Sequence, residues 1–250
     1  ILVWLIRHYA LTHNQNLMDV PNLRSSHSVP IPKGGGLAFV ISFLISVPIL
    51  AVTSDLPWAE VWAFLGGGIL VSMISFSDDH GHIAIRWRLL AHFIGATWIL
   101  FWLGGCPPLF IWGFTINPTL MSNTLAVFYL VWLVNLYNFM DGIDGITSIE
   151  TMTVCIGAAL LLALQSPSQS IWATPLLLVA SVSGFLYWNF PQAKIFMGDV
   201  GSSFLGLILG IFSIQTAWVL PHMFWVWVIL LGVFIVDATL TLLRRLTNGE

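Results

Sequence analysis

Long apolar runs, broken by short polar or Pro/Gly punctuation, organise this chain. Runs near 35–53, 59–76, 89–104, 123–137, 146–165, 171–189, 200–217 and 222–243 each approach the roughly 20 residues a helix needs to cross a bilayer. A shorter apolar stub, Ile1 to Ile6, reads as the tail of a further helix rather than a signal peptide. Backbone groups in lipid must be satisfied within their own segment, which favours helices. The pattern therefore predicts an all-α, polytopic transmembrane bundle of about nine spans, forming a single domain over 1–250. The chain begins without methionine and stops abruptly at Glu250, so both ends read as incomplete.

Composition agrees with the pattern. Hydrophobic residues make up 58% of the chain and charged residues only 8%, with a mean hydropathy of +0.91. A soluble domain carries about 25% charged residues. The net charge of −3 argues against a nucleic-acid partner. Cys106 and Cys155 are too few and too isolated for a disulfide framework or a metal site.

Charge placement orients the bundle. Threading the runs back and forth brings Arg7, Arg24, Lys33, Arg86, Arg88, Lys194, Arg244 and Arg245 to one side, while the opposite loops near 54–58, 105–122, 166–170 and 218–221 hold no Lys or Arg. Positive-inside bias makes the loaded side cytosolic. Trp58, Trp102, Trp112 and Trp218 suit anchoring at the two interfaces.

Asp19, Asp78, Asp79, Asp141, Asp144 and Asp199 also fall at cytosolic helix ends, whereas Asp55 and Glu60 lie towards the outer face. Carboxylates at a membrane face are costly unless paired, solvated or bound to cations. Asp78 and Asp79 end a span and are followed by His80, Gly81 and His82. Adjacent carboxylates repel, so such a pair binds Mg²⁺ or raises one pKa for base work, unless it only caps a turn. Asn135, Asn138, Asp141 and Asp144 recur every three residues and would align loosely on one helical face, with Gly142 and Gly145 permitting close approach. A membrane helix has no structural need for that stripe. Gly198, Asp199, Val200, Gly201, Ser202 and Ser203 open a span, where backbone N–H groups and the helix dipole suit a phosphate or an Mg²⁺-phosphate group.

The first cytosolic loop runs from Arg24 through Ser25, Ser26 and His27 to Lys33, Gly34, Gly35 and Gly36. Lys33 beside three glycines suits an anion, either a substrate phosphate or a lipid headgroup. Asp237 lies within the last run, before Arg244 and Arg245, and is expected to face the bundle interior. His8, His13, His92 and His222 show no ligand spacing.

Taken in this order, the motifs resemble the polyprenyl-phosphate N-acetylhexosamine-1-phosphate transferases, of glycosyltransferase family 4 type. That family includes the enzymes that start O-antigen and enterobacterial common antigen synthesis, and the phospho-MurNAc-pentapeptide translocase. The resemblance extends from Asp19 to Arg245 and rests on Lys33 to Gly36, Asp78-Asp79, Asn138 to Gly145, Gly198 to Ser202, and Asp237 with Arg244-Arg245. It implies transfer of an N-acetylhexosamine 1-phosphate from a UDP-sugar to undecaprenyl phosphate, releasing UMP, on the cytosolic face of a bacterial inner membrane, as the start of cell-surface polysaccharide synthesis. By the same resemblance Asp78 or Asp79 deprotonates or positions the lipid phosphate. Asp199 leads the Mg²⁺ (or Mn²⁺) ligands, with Asp141 and Asp144 in the same site. Lys33, Asn138, Gly198, Ser202 and Asp237 serve substrate, and Arg86 or Arg88 takes the place of a charged residue that relatives carry after the aspartate pair. The implied partners are a polyprenyl phosphate, a UDP-N-acetylhexosamine, the bilayer and a second copy of the chain in a homodimer. Relatives also carry a His-rich cytosolic loop beyond the position of Glu250.

Two rivals fit less well. CDP-alcohol phosphatidyltransferases follow Asp-Gly with two spacer residues and then Ala-Arg, whereas Ile143, Asp144 and Gly145 follow Asp141-Gly142 here and the basic residue is missing. A transporter places polar groups near the midplane on broken helices, and these polar groups gather at one face.

Overall fold

The computed structural model describes residues 1–13, 17–21, 28–81, 83–111, 113–166 and 170–249. The readings on Arg24, His27, His82, Trp112 and Glu250 lie outside them. Among the described residues ten α-helices follow one another: α1 (Leu2–His13), α2 (Gly36–Thr53), α3 (Trp58–Gly81), α4 (Ile85–Leu103), α5 (Leu120–Met140), α6 (Ile146–Gln165), α7 (Ala173–Asn189), α8 (Asp199–Val219), α9 (Met223–Leu230) and α10 (Gly232–Asn248). Two short antiparallel pairs decorate the loops, β1 (Met18–Asp19) with β2 (Ile31–Pro32) and β3 (Leu109–Ile111) with β4 (Phe114–Ile116).

Among the described residues, six helices are long and apolar enough to cross a membrane, and a seventh crossing exists if α9 and α10 count as one span bent by 62°. This corrects the expected nine spans. α1 has only 12 residues. α4 is diluted by Arg86, Arg88 and His92 in its first turns. It nevertheless runs antiparallel along α3: a Cβ on Gly67 would meet Ile99, one on Gly95 would meet Val71, and Arg88 bonds Asp78.

The centre of the bundle is α8, buried continuously from Val200 to Ala217. Lipid is as apolar as leucine, so helices associate in a membrane through close van der Waals fit and small residues. The α2–α8 crossing shows this: a Cβ on Gly36 would lie 2.4 Å from the Cα of Gly201, so only glycine lets the two backbones meet. Deeper in, Phe43 makes edge contacts with Phe64, Phe204 and Phe212, and Phe212 packs on Trp227.

The loop ends away from the aspartates are tied by side chains. The Trp218 indole donates to the Gly105 carbonyl at 3.3 Å, that of Trp225 to the Phe110 carbonyl at 2.8 Å, and His222 bonds Gln165 at 2.7 Å. Trp58 and Trp218 are exposed, as interfacial anchors should be. Trp102 instead packs against Trp62 and Trp98.

Candidate active site

Four segments converge where α3 and α5 end and α2 and α8 begin. Backbone bonds join two of them edge to edge: Phe196 donates to the Pro32 carbonyl at 2.7 Å, Gly35 to that of Phe196 at 2.9 Å, and Gly36 to that of Met197 at 2.9 Å. Gly198 then adopts φ +77, with Gly34 and Asp79 so close that a Cβ there would lie 2.9 Å from a carboxylate oxygen of Asp79. Chain reversal and close approach both call for glycine at that position.

The expected helical stripe from Asn135 to Asp144 is broken. α5 ends at Met140, so Asp141 and Asp144 lie in a turn that closes at Gly145, φ +77, before α6. Thr147 donates to Asp141 Oδ1 at 2.7 Å, and the backbone N–H of Ala193 donates to Asp144 Oδ2 at 2.9 Å. Asn189 steadies the turn from α7, its Oδ1 accepting from Gly145 N at 2.7 Å and its amide donating to the Ile195 carbonyl at 3.1 Å. Asn135 stays behind on α5, bonded to the Val131 carbonyl at 2.7 Å.

These segments enclose a cavity of about 370 Å³. Its walls include Asp19, Asp79, Asp141, Asp144 and Asp199, with Lys33, Asn138, Asn189, Gly198 and Ser202. Asn138 donates to the Ser202 hydroxyl at 3.3 Å, which donates to the Gly198 carbonyl at 3.3 Å. Burial pushes the Asp141 carboxyl up to about 6; the Thr147 bond opposes this, and the neighbouring Asp199, Asp79 and Asp144 charges add to it.

The aspartate pair divides its work. Asp79 accepts from the backbone N–H of Asp199 and of Val200, both at 3.2 Å, and so caps α8 from a different helix. That corrects the expectation that the first N–H groups of α8 wait for a phosphate, because a carboxylate of the protein holds them. Asp78 is turned away from the cavity. Its Oδ1 accepts from Ile83 N at 2.7 Å, and its Oδ2 pairs with Arg88 at 2.6 Å. The same Arg88 nitrogen lies 3.6 Å from Asp199 Oδ2.

Two expected substrate residues lie elsewhere. Arg86 is exposed on α4 with its guanidinium over the Trp87 ring, and Arg88, two positions on, is the residue that faces the aspartates. Asp237 is exposed on α10, because Phe234 and Ala238 take the inward face. Asn189, Thr147 and Glu150 were not singled out from the sequence. Glu150, a lone carboxylate within the 146–165 run, and Asn189, at the end of another run, carried the visible signals.

Among the described residues no three His, Cys, Asp or Glu side chains are grouped closely enough to hold a metal ion by themselves. Mg²⁺ does not require that. It commonly takes one or two carboxylates, several waters and the substrate's phosphates. Among the described residues, five aspartates and one lysine line the cavity, with Arg88 3.6 Å from one of the aspartates, and the remaining negative charge suits a divalent cation.

Residues 61–217 match the glycosyl transferase family 4 profile. That is well over half of the chain, and the protein belongs to this family. It is 28% identical over 237 residues to a probable undecaprenyl-phosphate N-acetylglucosaminyl 1-phosphate transferase of Bacillus subtilis (strain 168), covering 93% of this chain and 65% of that protein. A phospho-N-acetylmuramoyl-pentapeptide-transferase of Streptococcus pneumoniae (strain Hungary19A-6) is 27% identical, over 88% of this chain and 69% of its own length. An undecaprenyl-phosphate alpha-N-acetylglucosaminyl 1-phosphate transferase of Thermotoga maritima is 29% identical, over 79% and 56%. The chain thus spans about two thirds of the length of these relatives or less.

Proposed function

We propose that this protein transfers an N-acetylhexosamine 1-phosphate from a UDP-sugar to undecaprenyl phosphate at the cytosolic membrane face, releasing UMP. An oxygen of the lipid phosphate attacks the sugar-bearing phosphorus of the UDP-sugar. The bond from that phosphorus to the bridging oxygen breaks, and the bridging oxygen leaves with UMP. Both substrates are anionic, so the reaction needs charge neutralisation and alignment more than covalent help from the protein. Asp199 and Asp141 would hold a Mg²⁺ ion, which supplies positive charge for the diphosphate; Asp144, tied to Ala193, shapes the turn beside them. Lys33 meets a phosphate, and Asn138 and Ser202 orient polar groups of the donor. Arg88 holds Asp78 and steers Asp199.

The observation that carries this reading is the five-aspartate, one-lysine cavity at the helix ends, in a chain whose relatives are named for this chemistry. Short loops around the site favour a small N-acetylhexosamine over a peptide-bearing sugar. The test mixes purified full-length protein with undecaprenyl phosphate, Mg²⁺ and either UDP-GlcNAc or UDP-MurNAc-pentapeptide. Release of UMP with UDP-GlcNAc, abolished by EDTA, is the expected result. No lipid-linked sugar from any UDP-N-acetylhexosamine would sink the proposal.

A further inference from the structure

One carboxylate inside the bundle has no part in the chemistry above. Glu150 lies on α6, three residues beyond Thr147, and accepts a hydrogen bond from the Tyr137 hydroxyl of α5. Its other oxygen, Oε1, is buried without a hydrogen-bond partner. A carboxylate within a span is costly, and two helices could be held together at lower cost by apolar contact.

α5 packs chiefly on α8 and α6 chiefly on α7, so the polar bonds between α5 and α6 join helices that share little other contact. Tyr137 lies in the last turn of α5, four residues before Asp141 in the turn that follows, and Glu150 lies three residues after Thr147 on one side of α6. The Thr147–Asp141 bond and the Tyr137–Glu150 bond are therefore consecutive polar rungs between the same two segments. The first rung takes one oxygen of Asp141 and leaves the other for the cavity. The second ties α5 to α6 one residue before Asn138, whose amide donates to Ser202 at the cavity wall. Tyr137 has little other freedom: it is fully buried, its ring lies 5.2 Å from that of Phe234, and a Cβ on Gly206 of α8 would lie 3.0 Å from its own.

We propose that the Tyr137–Glu150 pair is a positioning device that aims Asp141 at the divalent cation it shares with Asp199. This rests on the part of the transferase reading that makes the aspartate cavity a divalent-cation site. The test is a titration of the purified full-length protein with Mn²⁺, followed by the electron paramagnetic resonance of the free ion. Tyr137→Phe and Glu150→Leu should each weaken Mn²⁺ binding about tenfold, the order found for residues that orient metal ligands. Glu150→Gln still accepts the phenol proton and should bind Mn²⁺ as the unmodified protein does. Unchanged affinity in Tyr137→Phe overturns the proposal, and so does a Glu150→Gln variant as weak as Glu150→Leu. If Glu150→Leu does not fold, Tyr137→Phe and Glu150→Gln decide the matter. Sugar-phosphate transfer by the unmodified protein is measured alongside. Its absence with the Mn²⁺ pattern intact removes the transferase reading and leaves this inference standing; transfer with unchanged Mn²⁺ affinities does the reverse.

Discussion

Successive residues on a helix point about 100° apart, and that angle divides the aspartate pair at the end of α3 between two neighbours. Asp78 turns to Arg88 on α4, whereas Asp79 turns to the first N–H groups of α8. Adjacency made the two carboxylates look like one unit in the sequence; which helix each faces depends on packing that adjacency does not encode. Asp79 and Asp199 should respond differently to substitution. Asp79→Ala strips two acceptors from a largely buried helix start, at a cost of about 1–2 kcal/mol, and should lower both the melting temperature in detergent and the turnover. Asp199 is more exposed, and among the described residues its carboxylate has only a long contact, 3.6 Å, to Arg88. Asp199→Asn should melt close to the unmodified protein while losing turnover on the order of a hundredfold. Equal loss of turnover with equal loss of stability in both variants would remove the distinction.

Apolar length told where most helices lie, since the period of a membrane span is its thickness and the chain between spans must be polar. It did not report what ends or bends them. α5 stops at Met140 because the chain turns through Gly142 and Gly145 while Asp141 and Asp144 bond to neighbouring segments. The run at 222–243 is uniformly apolar across Leu231 and Gly232, yet its two helices diverge by 62°. The convergence of Lys33, Asp79, Asn138, Asp141 and Asp199 was legible, because each motif lay at a helix end on one face. Arg86 and Asp237 were misplaced, because helix rotation is set by what packs on the opposite side. The crossing of α2 and α8 is where element packing and site geometry are most tightly coupled. Gly201→Ala would place a Cβ 2.4 Å from Met197 and 2.8 Å from the Cα of Gly36. Overpacking of this kind costs about 1–3 kcal/mol, and the strain is relieved by moving the α8 start that carries Asp199. The melting temperature should fall modestly and turnover more steeply. A Gly201→Ala protein with full activity would show that the two helix starts need not meet.

At the scale of the whole molecule, orientation decides which compartment supplies the substrate. A UDP-sugar is a cytosolic metabolite class by its charge, as it does not cross a bilayer unaided. Under the proposed transfer, the aspartate cavity opens to the side marked by Lys33, Arg88 and Lys194, and the Asp55 loop lies on the other. The native thiols allow a clean test, since Cys106 and Cys155 are both buried and unpaired. Asp55 and Gln192 are exposed at opposite ends of the bundle, the first after α2 and the second in the segment whose neighbour Ala193 bonds Asp144. Asp55→Cys should react with a membrane-impermeant maleimide in cells whose inner membrane is sealed, and Gln192→Cys only after that membrane is opened. Neither substitution touches a residue of the cavity, so both proteins should keep their activity and report on the native arrangement. Labelling of Gln192→Cys in sealed cells would invert the topology. The charge-bias argument and the proposed use of a cytosolic sugar nucleotide would then fall together, because both depend on the same face.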